Sequence, residues 1–164
     1  ATTTRRSPTW TSRIWSTAIE DYVAASLRKI DGVQVDPTRG FSEWRTIVAR
    51  IKSLKPGSKV VVIGHSMGAA SATYVTDQVH VDLVVCYDCA GQAPSYIGRN
   101  TEKLLDFWDR AFALVPKFRP KALPGHKQKI KQTITLDGHT GQPSDPKLLR
   151  LIVDEIQKMK GVSK

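Results

Sequence analysis

Ser66 lies between two glycines in the segment Gly64-His65-Ser66-Met67-Gly68, a spacing typical of a serine nucleophile. The apolar β-branched run Val60–Ile63 precedes this segment, and mostly small residues follow it. The pattern predicts a buried strand that turns sharply into a helix at Ser66. Glycines are needed there because larger side chains beside a strained turn would collide with the strand and the helix. At the N-terminus of a helix, N–H groups and the helix dipole stabilise developing negative charge, which favours attack by the Ser66 hydroxyl.

A serine nucleophile needs a general base, and the chain has four histidines. His65 adjoins the serine, so its side chain is expected to point away and pack beside the turn. His80 precedes a strand at the opposite edge of the predicted sheet, and His126 lies in a basic loop where it is solvated. His139 follows the predicted strand Gln132–Leu136 and therefore lies at the C-terminal edge, where a parallel sheet presents its chemistry. We expect His139 to be the base.

The base in turn needs an acid that orients it. Asp88 stands where the apolar run ending at Tyr87 stops, at the same predicted sheet edge as Ser66. Asp109 and Asp106 flank a later predicted strand and are alternatives. An acid at position 88 gives the chain order Ser, Asp, His, which is the order of strand–turn–helix serine hydrolases. We predict Asp88 as the acid, with a turn-capping aspartate as the competing interpretation of the same residue.

Strands alternate with amphipathic helices along the chain, which indicates a parallel sheet covered on both faces. The predicted strands are Val33–Val35, Val60–Ile63, Leu83–Tyr87, Leu104–Trp108 (with Arg110–Val115 extending or replacing it) and Gln132–Leu136. The predicted helices run from the Thr17 capping box to Ile30, from Ser42 to Leu54, from the Ser66 turn to Gln78, and from the Asp145 cap to Met159. The sequence predicts one α/β domain over residues 1–164, with a mostly parallel sheet and helices on both faces.

With this serine segment and this order of elements, the chain resembles the α/β-hydrolase superfamily, in particular its small serine esterases and lipases that have no cap domain. The resemblance covers most of the chain after Ile14, and its specific part is the glycine-flanked serine. It implies Ser66 as nucleophile, His139 as general base, Asp88 as its partner and the backbone N–H of Met67 as one oxyanion donor. The implied reaction is hydrolysis of a carboxylic ester or thioester through an acyl-serine, and we expect no cofactor and no metal.

The N-terminal part departs from this pattern. Such enzymes usually begin with several strands, one of which ends in a loop that supplies the second oxyanion donor, and we find no convincing strand in Ala1–Ser16. We predict that the loop Pro8–Ser12 takes that place, with the N–H of Trp10 or Thr11 as donor, or alternatively that a first strand has been removed. Loss of one such donor typically costs about a hundred- to a thousandfold in turnover. The polar segment Ala1–Pro8 carries two arginines, so we predict no signal peptide.

The chain is basic, with 25 Lys and Arg against 15 Asp and Glu and a net charge of +10. This charge attracts anionic surfaces and ligands. Nucleic-acid binding is not expected, because no fold signature or interleaving of basic and aromatic residues accompanies the charge. The basic segment Lys117–Lys131 is predicted to be an exposed loop. The loop Pro116–Ile130 is predicted to border the site, where its lysines would favour a small ester or thioester with an anionic group. No apolar run approaches the roughly 20 residues that span a bilayer, so no transmembrane segment is predicted.

Cys86 and Cys89 form a C-x-x-C pair. They lie at the end of a predicted strand rather than at a helix N-terminus, and no second pair completes a metal site. Successive strand residues point to opposite faces, so we expect two buried free thiols whose sulfurs diverge. Two functions compete with hydrolysis. One is a non-catalytic binding protein that keeps the serine turn as architecture, and the other is a basic protein that associates with anionic surfaces.

Overall fold

The computed structural model describes residues 10–15, 19–37, 43–91, 94, 96–110 and 117–161, which form an α/β fold around one sheet. The strands are β1 (Trp10–Trp15), β2 (Val33–Pro37), β3 (Lys59–His65), β4 (Leu83–Tyr87), β5 (Lys103–Asp109) and β6 (Lys129–Thr135). They form a six-stranded sheet in the order β2-β1-β3-β4-β5-β6. Every neighbouring pair is parallel. The C-terminal ends of all these strands therefore lie along one edge of the sheet.

The helices connect and cover these strands. A π-helical segment (Ile19–Ala24) continues into the short helix α1 (Ala25–Leu27), and three longer helices follow: α2 (Trp44–Lys52), α3 (Met67–Gln78) and α4 (Pro146–Met159). Helix α4 begins where the sequence predicts, because the Asp145 carboxylate accepts a hydrogen bond from the N–H of Lys147 at 2.7 Å. Among the helices of the described residues, none is long and apolar enough to cross a membrane.

Two apolar cores lie on the two faces of the sheet. On one face, the π-helical segment, α1 and α4 pack against alternate strand residues; the buried side chains are Val23, Ala24, Leu27, Val61, Ile63, Leu83, Val85, Tyr87, Leu105, Phe107, Leu148, Ile152 and Ile156. On the other face, α2 and α3 cover the intervening strand residues, with Ile47, Val48, Ile51, Val60, Val62, Ala69, Ala72, Val75, Val84, Cys86 and Leu104 buried. This arrangement confirms the predicted α/β class, the parallel sheet and the helices on both faces.

The prediction of no strand in Ala1–Ser16 is wrong. Residues Trp10–Trp15 form β1, which lies inside the sheet between β2 and β3. The sequence Trp-Thr-Ser-Arg-Ile-Trp lacks the continuous apolar run expected of a central parallel strand, so local pattern alone did not reveal it. Its strand conformation depends on backbone pairing with two neighbours that are distant in sequence.

The bounds of several other elements also differ from the predictions. Strand β6 begins at Lys129 and ends at Thr135, so the last three residues of the predicted basic loop Lys117–Lys131 belong to the sheet. This strand is at the edge of the sheet, where exposed lysines are tolerated because one side of the strand faces solvent. The helix predicted from Thr17 is described only from Ile19, and the two residues before it lie outside the described residues. Within the alternative Arg110–Val115, Arg110 is a bend and the remainder lies outside the described residues.

Candidate active site

The predicted strained turn is present at Ser66. The residue joins β3 directly to α3 and has φ 55° and ψ −123°, a conformation that is costly for any residue with a side chain. Its N–H donates to the carbonyl of Tyr87 at 2.9 Å, and its carbonyl accepts from the N–H of Ala69 at 3.0 Å. The turn is therefore held between the end of β4 and the first turn of α3.

Gly64 explains why the turn can be this tight. A Cβ atom at this position would lie 2.3 Å from the carbonyl oxygen of Gly68 and 2.6 Å from the nitrogen of Ala69. These are main-chain atoms of α3, so a side chain at position 64 would force the strand and the helix apart. The first glycine of the motif is therefore a requirement of the close approach between β3 and α3.

Met67 is the first residue of α3, and the residue is 47% exposed. The N–H groups of a first helical turn have no acceptor within their own helix. The Met67 N–H therefore belongs to a set of donors beside Ser66, where the positive end of the helix dipole favours an anion.

Asp88 lies where the chain leaves β4, with φ 44°. Its N–H donates to the carbonyl of Phe107 in β5 at 2.7 Å, which fixes the residue at the C-terminal edge of the sheet. The Asp88 side chain is fully buried, and its Oδ2 accepts a hydrogen bond from Nδ1 of His139 at 2.6 Å. A carboxylate in this position selects the imidazole tautomer with a proton on Nδ1, so that Nε2 is the ring nitrogen that can accept a proton. The structure thus brings together two of the residues predicted to act with Ser66.

His139 is connected to the serine turn through His65. Nε2 of His65 donates to the backbone carbonyl of His139 at 2.7 Å, and the two rings pack with their centroids 4.5 Å apart. The His139 side chain is 14% exposed. Burial lowers the pKa of His65, with the nearby His139 acting in the same direction, although the hydrogen bond to the His139 carbonyl opposes the shift. His65 therefore packs beside the turn, as predicted, and also anchors the segment that carries His139.

Lys117 and Asp109 complete the surroundings of Asp88. Oδ1 of Asp88 lies 3.0 Å from Nζ of Lys117 and accepts a longer hydrogen bond, at 3.3 Å, from the N–H of Asp109. The same Lys117 ammonium donates to the carbonyl of Asp109 at 2.8 Å. Sequence reasoning missed Lys117, because a single lysine in a basic segment carries no signal that it is buried at a sheet edge. Asp109, an alternative for the acid, contributes its backbone to the site through these two bonds.

Asp106, the other alternative, lies within β5 and is fully buried. Its Oδ2 accepts from the side-chain amide of Gln132 at 2.9 Å and lies 3.8 Å from Nε of Arg119. Burial raises the pKa of Asp106 to about 6, and Asp88 acts in the same direction, while Gln132 and Arg119 oppose the shift. Asp106 is therefore a buried carboxylate with its own partners.

Trp10 is not at the site, which corrects its prediction as an oxyanion donor. It is the first residue of β1 and pairs with Val33 and Lys59, at the N-terminal edge of the sheet. Five residue-to-residue steps of about 3.3 Å each separate it from Trp15, the residue of β1 that pairs with Gly64. Thr11 follows Trp10 in the same strand and is excluded for the same reason. The described part of the predicted loop Pro8–Ser12, Trp10–Ser12, is therefore strand and not a loop beside Ser66; Pro8 and Thr9 lie outside the described residues.

The remaining histidines lie away from the site, as predicted. His80 is exposed, and its Nε2 lies 3.5 Å from Asp82, whose carboxylate also pairs with Lys59 at the start of β3. This contact places His80 at the N-terminal edge of the sheet. His126 is exposed in a turn of the basic segment.

The two cysteines are buried and free, as predicted, but their sulfurs do not diverge. Both side chains belong to the same core under α3, on one face of the sheet. Alternation along a strand fails here because the chain leaves β4 at Asp88, where φ is positive, and Cys89 is no longer part of the strand. Burial raises the pKa of the Cys89 thiol well above its usual range, with Cys86 and the nearby carboxylates adding to the shift.

Within the part of the chain that the structure describes, no group of three or more His, Cys, Asp and Glu side chains could hold a metal ion. No protein-family model matches the chain, and a search of curated proteins found no similar protein. The class that fold and site define together is therefore an α/β protein with a strained serine turn and an Asp–His pair at the C-terminal edge of its sheet.

Proposed function

We propose that this chain is a serine hydrolase of the α/β-hydrolase type that cleaves a carboxylic ester or thioester. The observation that carries the proposal is the 2.6 Å hydrogen bond between Asp88 and Nδ1 of His139. This bond forms at the sheet edge where Ser66 occupies a strained turn, and His65, the residue before the serine, is bonded to the His139 carbonyl. A nucleophile, a base and an orienting acid are the three parts that acyl transfer requires.

In the proposed reaction, the Ser66 hydroxyl attacks the substrate carbonyl while Nε2 of His139 takes its proton. Asp88 stabilises the imidazolium that forms, and the N–H of Met67 stabilises the oxyanion. The C–O or C–S bond to the leaving group then breaks, the leaving group takes the proton from His139, and an acyl-serine remains. A water molecule, deprotonated by His139, attacks this acyl group, and collapse of the second intermediate releases the acid and restores the Ser66 hydroxyl.

The sheet register changes where the second oxyanion donor is to be sought. All of β1 pairs with β3, but it is the C-terminal end of β1, rather than its beginning, that lies next to the serine turn, since Trp15 pairs with Gly64. We therefore expect this donor at the C-terminal end of β1 and not at Trp10 or Thr11. The corrected position of β1 agrees with the arrangement expected of the superfamily, in which a neighbouring strand ends beside the nucleophile.

The expected preference for an anionic substrate depends on which cations of the basic segment are available. Lys117 is paired with Asp88, and the guanidinium of Arg119 stacks on the ring of Trp108 at 5.0 Å. Lys121, Lys127, Lys129 and Lys131 are exposed on the same segment, the last two within β6. A preference for anionic esters would therefore depend on exposed lysines of this segment and would weaken as salt is added.

Hydrolysis of short p-nitrophenyl esters tests the proposal. The wild type is expected to turn them over, and Ser66→Ala and His139→Ala to abolish turnover. Asp88→Asn is expected to reduce kcat by a factor on the order of 10⁴, because the amide cannot stabilise the imidazolium. His126→Ala, which removes an exposed histidine, is the control and is expected to retain full activity. Turnover that survives Ser66→Ala or His139→Ala in folded protein would contradict the proposed mechanism.

A further inference from the structure

Lys117 is a cation held at the Asp88–His139 pair without a part in the chemistry described so far. Its side chain is 11% exposed, and its Nζ contacts Oδ1 of Asp88 and the carbonyl of Asp109. Burying a charged ammonium group costs free energy unless an anion and hydrogen-bond acceptors replace the water that it loses. Lys117 therefore contacts one oxygen of the Asp88 carboxylate, and His139 contacts the other.

We propose that Lys117 is a positioning residue that fixes the Asp88 carboxylate and offsets its charge, and so sets the pH range in which His139 can act as a base. This inference rests on the proposed function. The orienting part follows from the contacts: Oδ2 is bound by His139, and Oδ1 by Lys117 and the N–H of Asp109. Rotation of the carboxylate would break bonds on both oxygens.

The effect of Lys117 on the charge of His139 follows from their arrangement, in which the Asp88 carboxylate lies between the lysine and the histidine. Asp88 attracts a proton to His139, since an anion beside an imidazole stabilises its charged form. Lys117, on the other oxygen of the same carboxylate, repels that proton. The two effects oppose each other, so a protein that has lost the lysine should hold the proton on His139 up to a higher pH.

Other titratable groups face the same pair. His65 of β3 packs on the His139 ring, and burial lowers its pKa, which favours the neutral ring. Cys89, after β4, has a strongly raised thiol pKa and is neutral near pH 7. Asp106 and Asp109 come from β5, and burial raises the pKa of Asp106 to about 6. Asp137, two residues before His139 in the chain, is exposed. All of these groups remain when Lys117 is replaced, so a comparison of variants isolates the lysine.

The expected size of the effect follows from Coulomb's law. The Lys117 ammonium and the His139 ring stand on opposite oxygens of one carboxylate, roughly 6 Å apart by ordinary hydrogen-bond geometry. At an effective dielectric constant of about 20 to 40, removal of one unit charge at that distance shifts a titration by about one to two pH units.

The test is an NMR titration of the histidine ring protons, with the His139 signal assigned by His139→Gln. In Lys117→Met, the midpoint for His139 is expected about one to two pH units higher than in the wild type. Lys117→Gln keeps a hydrogen-bond donor without the charge and is expected to shift as much, which preserves the test if the methionine variant does not fold. Lys117→Arg and the matched control Lys127→Met, which removes an exposed lysine, are expected to titrate as the wild type does.

The pH profile of kcat/KM is the second measurement, and its acidic limb is expected to move with the NMR midpoint. A His139 midpoint in Lys117→Gln within about 0.3 pH units of the wild type would overturn the proposal, because a unit charge this close cannot act so weakly. The NMR shift does not require turnover. If the His139 midpoint shifts in Lys117→Gln but the wild type has no esterase activity, the role of Lys117 is upheld and the proposed hydrolase function is refuted. If the wild type is active but the midpoint does not shift, the hydrolase function is upheld and the role of Lys117 is refuted.

Discussion

Replacement of Asp106 by asparagine is expected to stabilise the protein at pH 8 and to leave its activity intact. Asp106 is fully buried, and burial raises its pKa from 3.8 to about 6. The amide of asparagine keeps an oxygen that can accept the hydrogen bond from Gln132 and removes the buried charge. Arg119 loses an ion partner at 3.8 Å but still stacks on Trp108, so its position does not depend on Asp106 alone.

The size and the sign of this effect follow from proton linkage. Between pH 3.8 and about 6, the folded protein holds a proton on Asp106 that the unfolded chain has released, so the free energy of unfolding falls as pH rises through this window. A shift of about two pH units corresponds to about 3 kcal/mol. Asp106→Asn has no carboxyl group at this position, so this fall in the free energy of unfolding does not occur in the variant. Its free energy of unfolding is therefore expected to exceed that of the wild type by up to about 3 kcal/mol at pH 8, and to match it near pH 4.

Urea unfolding of the wild type and Asp106→Asn at pH 4, 5, 6, 7 and 8 measures this difference directly. Asp31→Asn, which alters an exposed carboxylate, is the control and is expected to change stability by less than about 0.5 kcal/mol throughout. A difference between wild type and Asp106→Asn that does not grow with pH would refute the reasoning. Loss of esterase activity by about 10⁴-fold in folded Asp106→Asn would show instead that Asp106, and not Asp88, is the catalytic acid.

Two further predictions concern the serine turn and the thiols. Gly64→Ala is expected to lower the free energy of unfolding by about 3 kcal/mol, because its Cβ would overlap the main chain of Gly68. Gly125→Ala is the comparison: no atom lies near its Cβ, but its φ is +80°, so we expect it to lower the free energy of unfolding by about 1 to 2 kcal/mol. Equal urea midpoints for the two variants would contradict this. Cys86 and Cys89 are expected not to react with Ellman's reagent in the native protein at pH 8 and to react fully in urea, since both thiols are buried. Rapid native reaction would show that this part of the core opens.

Local signals were sufficient for much of the fold and for the candidate residues. The β-branched run before Gly64 predicted a buried strand, and the two glycines predicted the tight turn at Ser66. The Asp145 cap and the apolar spacing after it predicted α4. The positions of His139 and Asp88 after parallel strands predicted that they lie close together, and in the structure a hydrogen bond of 2.6 Å joins them. Each of these predictions depended on residues within one element or on the geometry that all parallel sheets share.

The features that were missed depend on contacts between distant parts of the chain. Strand β1 is polar in its middle and is stabilised by pairing with β2 and β3. Lys117 reaches Asp88 from a segment that contains several other lysines, and composition does not distinguish them. The diverging sulfurs were predicted from strand alternation, which does not extend past the turn at Asp88. Trp10 was placed at the site because β1, and therefore the direction of the chain there, was not recognised.

Covalent labelling of Ser66 tests the central claim most directly. A fluorophosphonate reacts with a serine that is activated by a neighbouring base, and intact-mass and peptide mass spectrometry locate the adduct. The hydrolase account predicts one adduct per chain, on Ser66, in the native wild type and none in urea-denatured protein. It also predicts none in Ser66→Ala, whose stability is expected to match the wild type within about 0.5 kcal/mol. Folded wild type that stays unlabelled, or an adduct of equal yield in Ser66→Ala, would contradict the account and favour a non-catalytic binding protein.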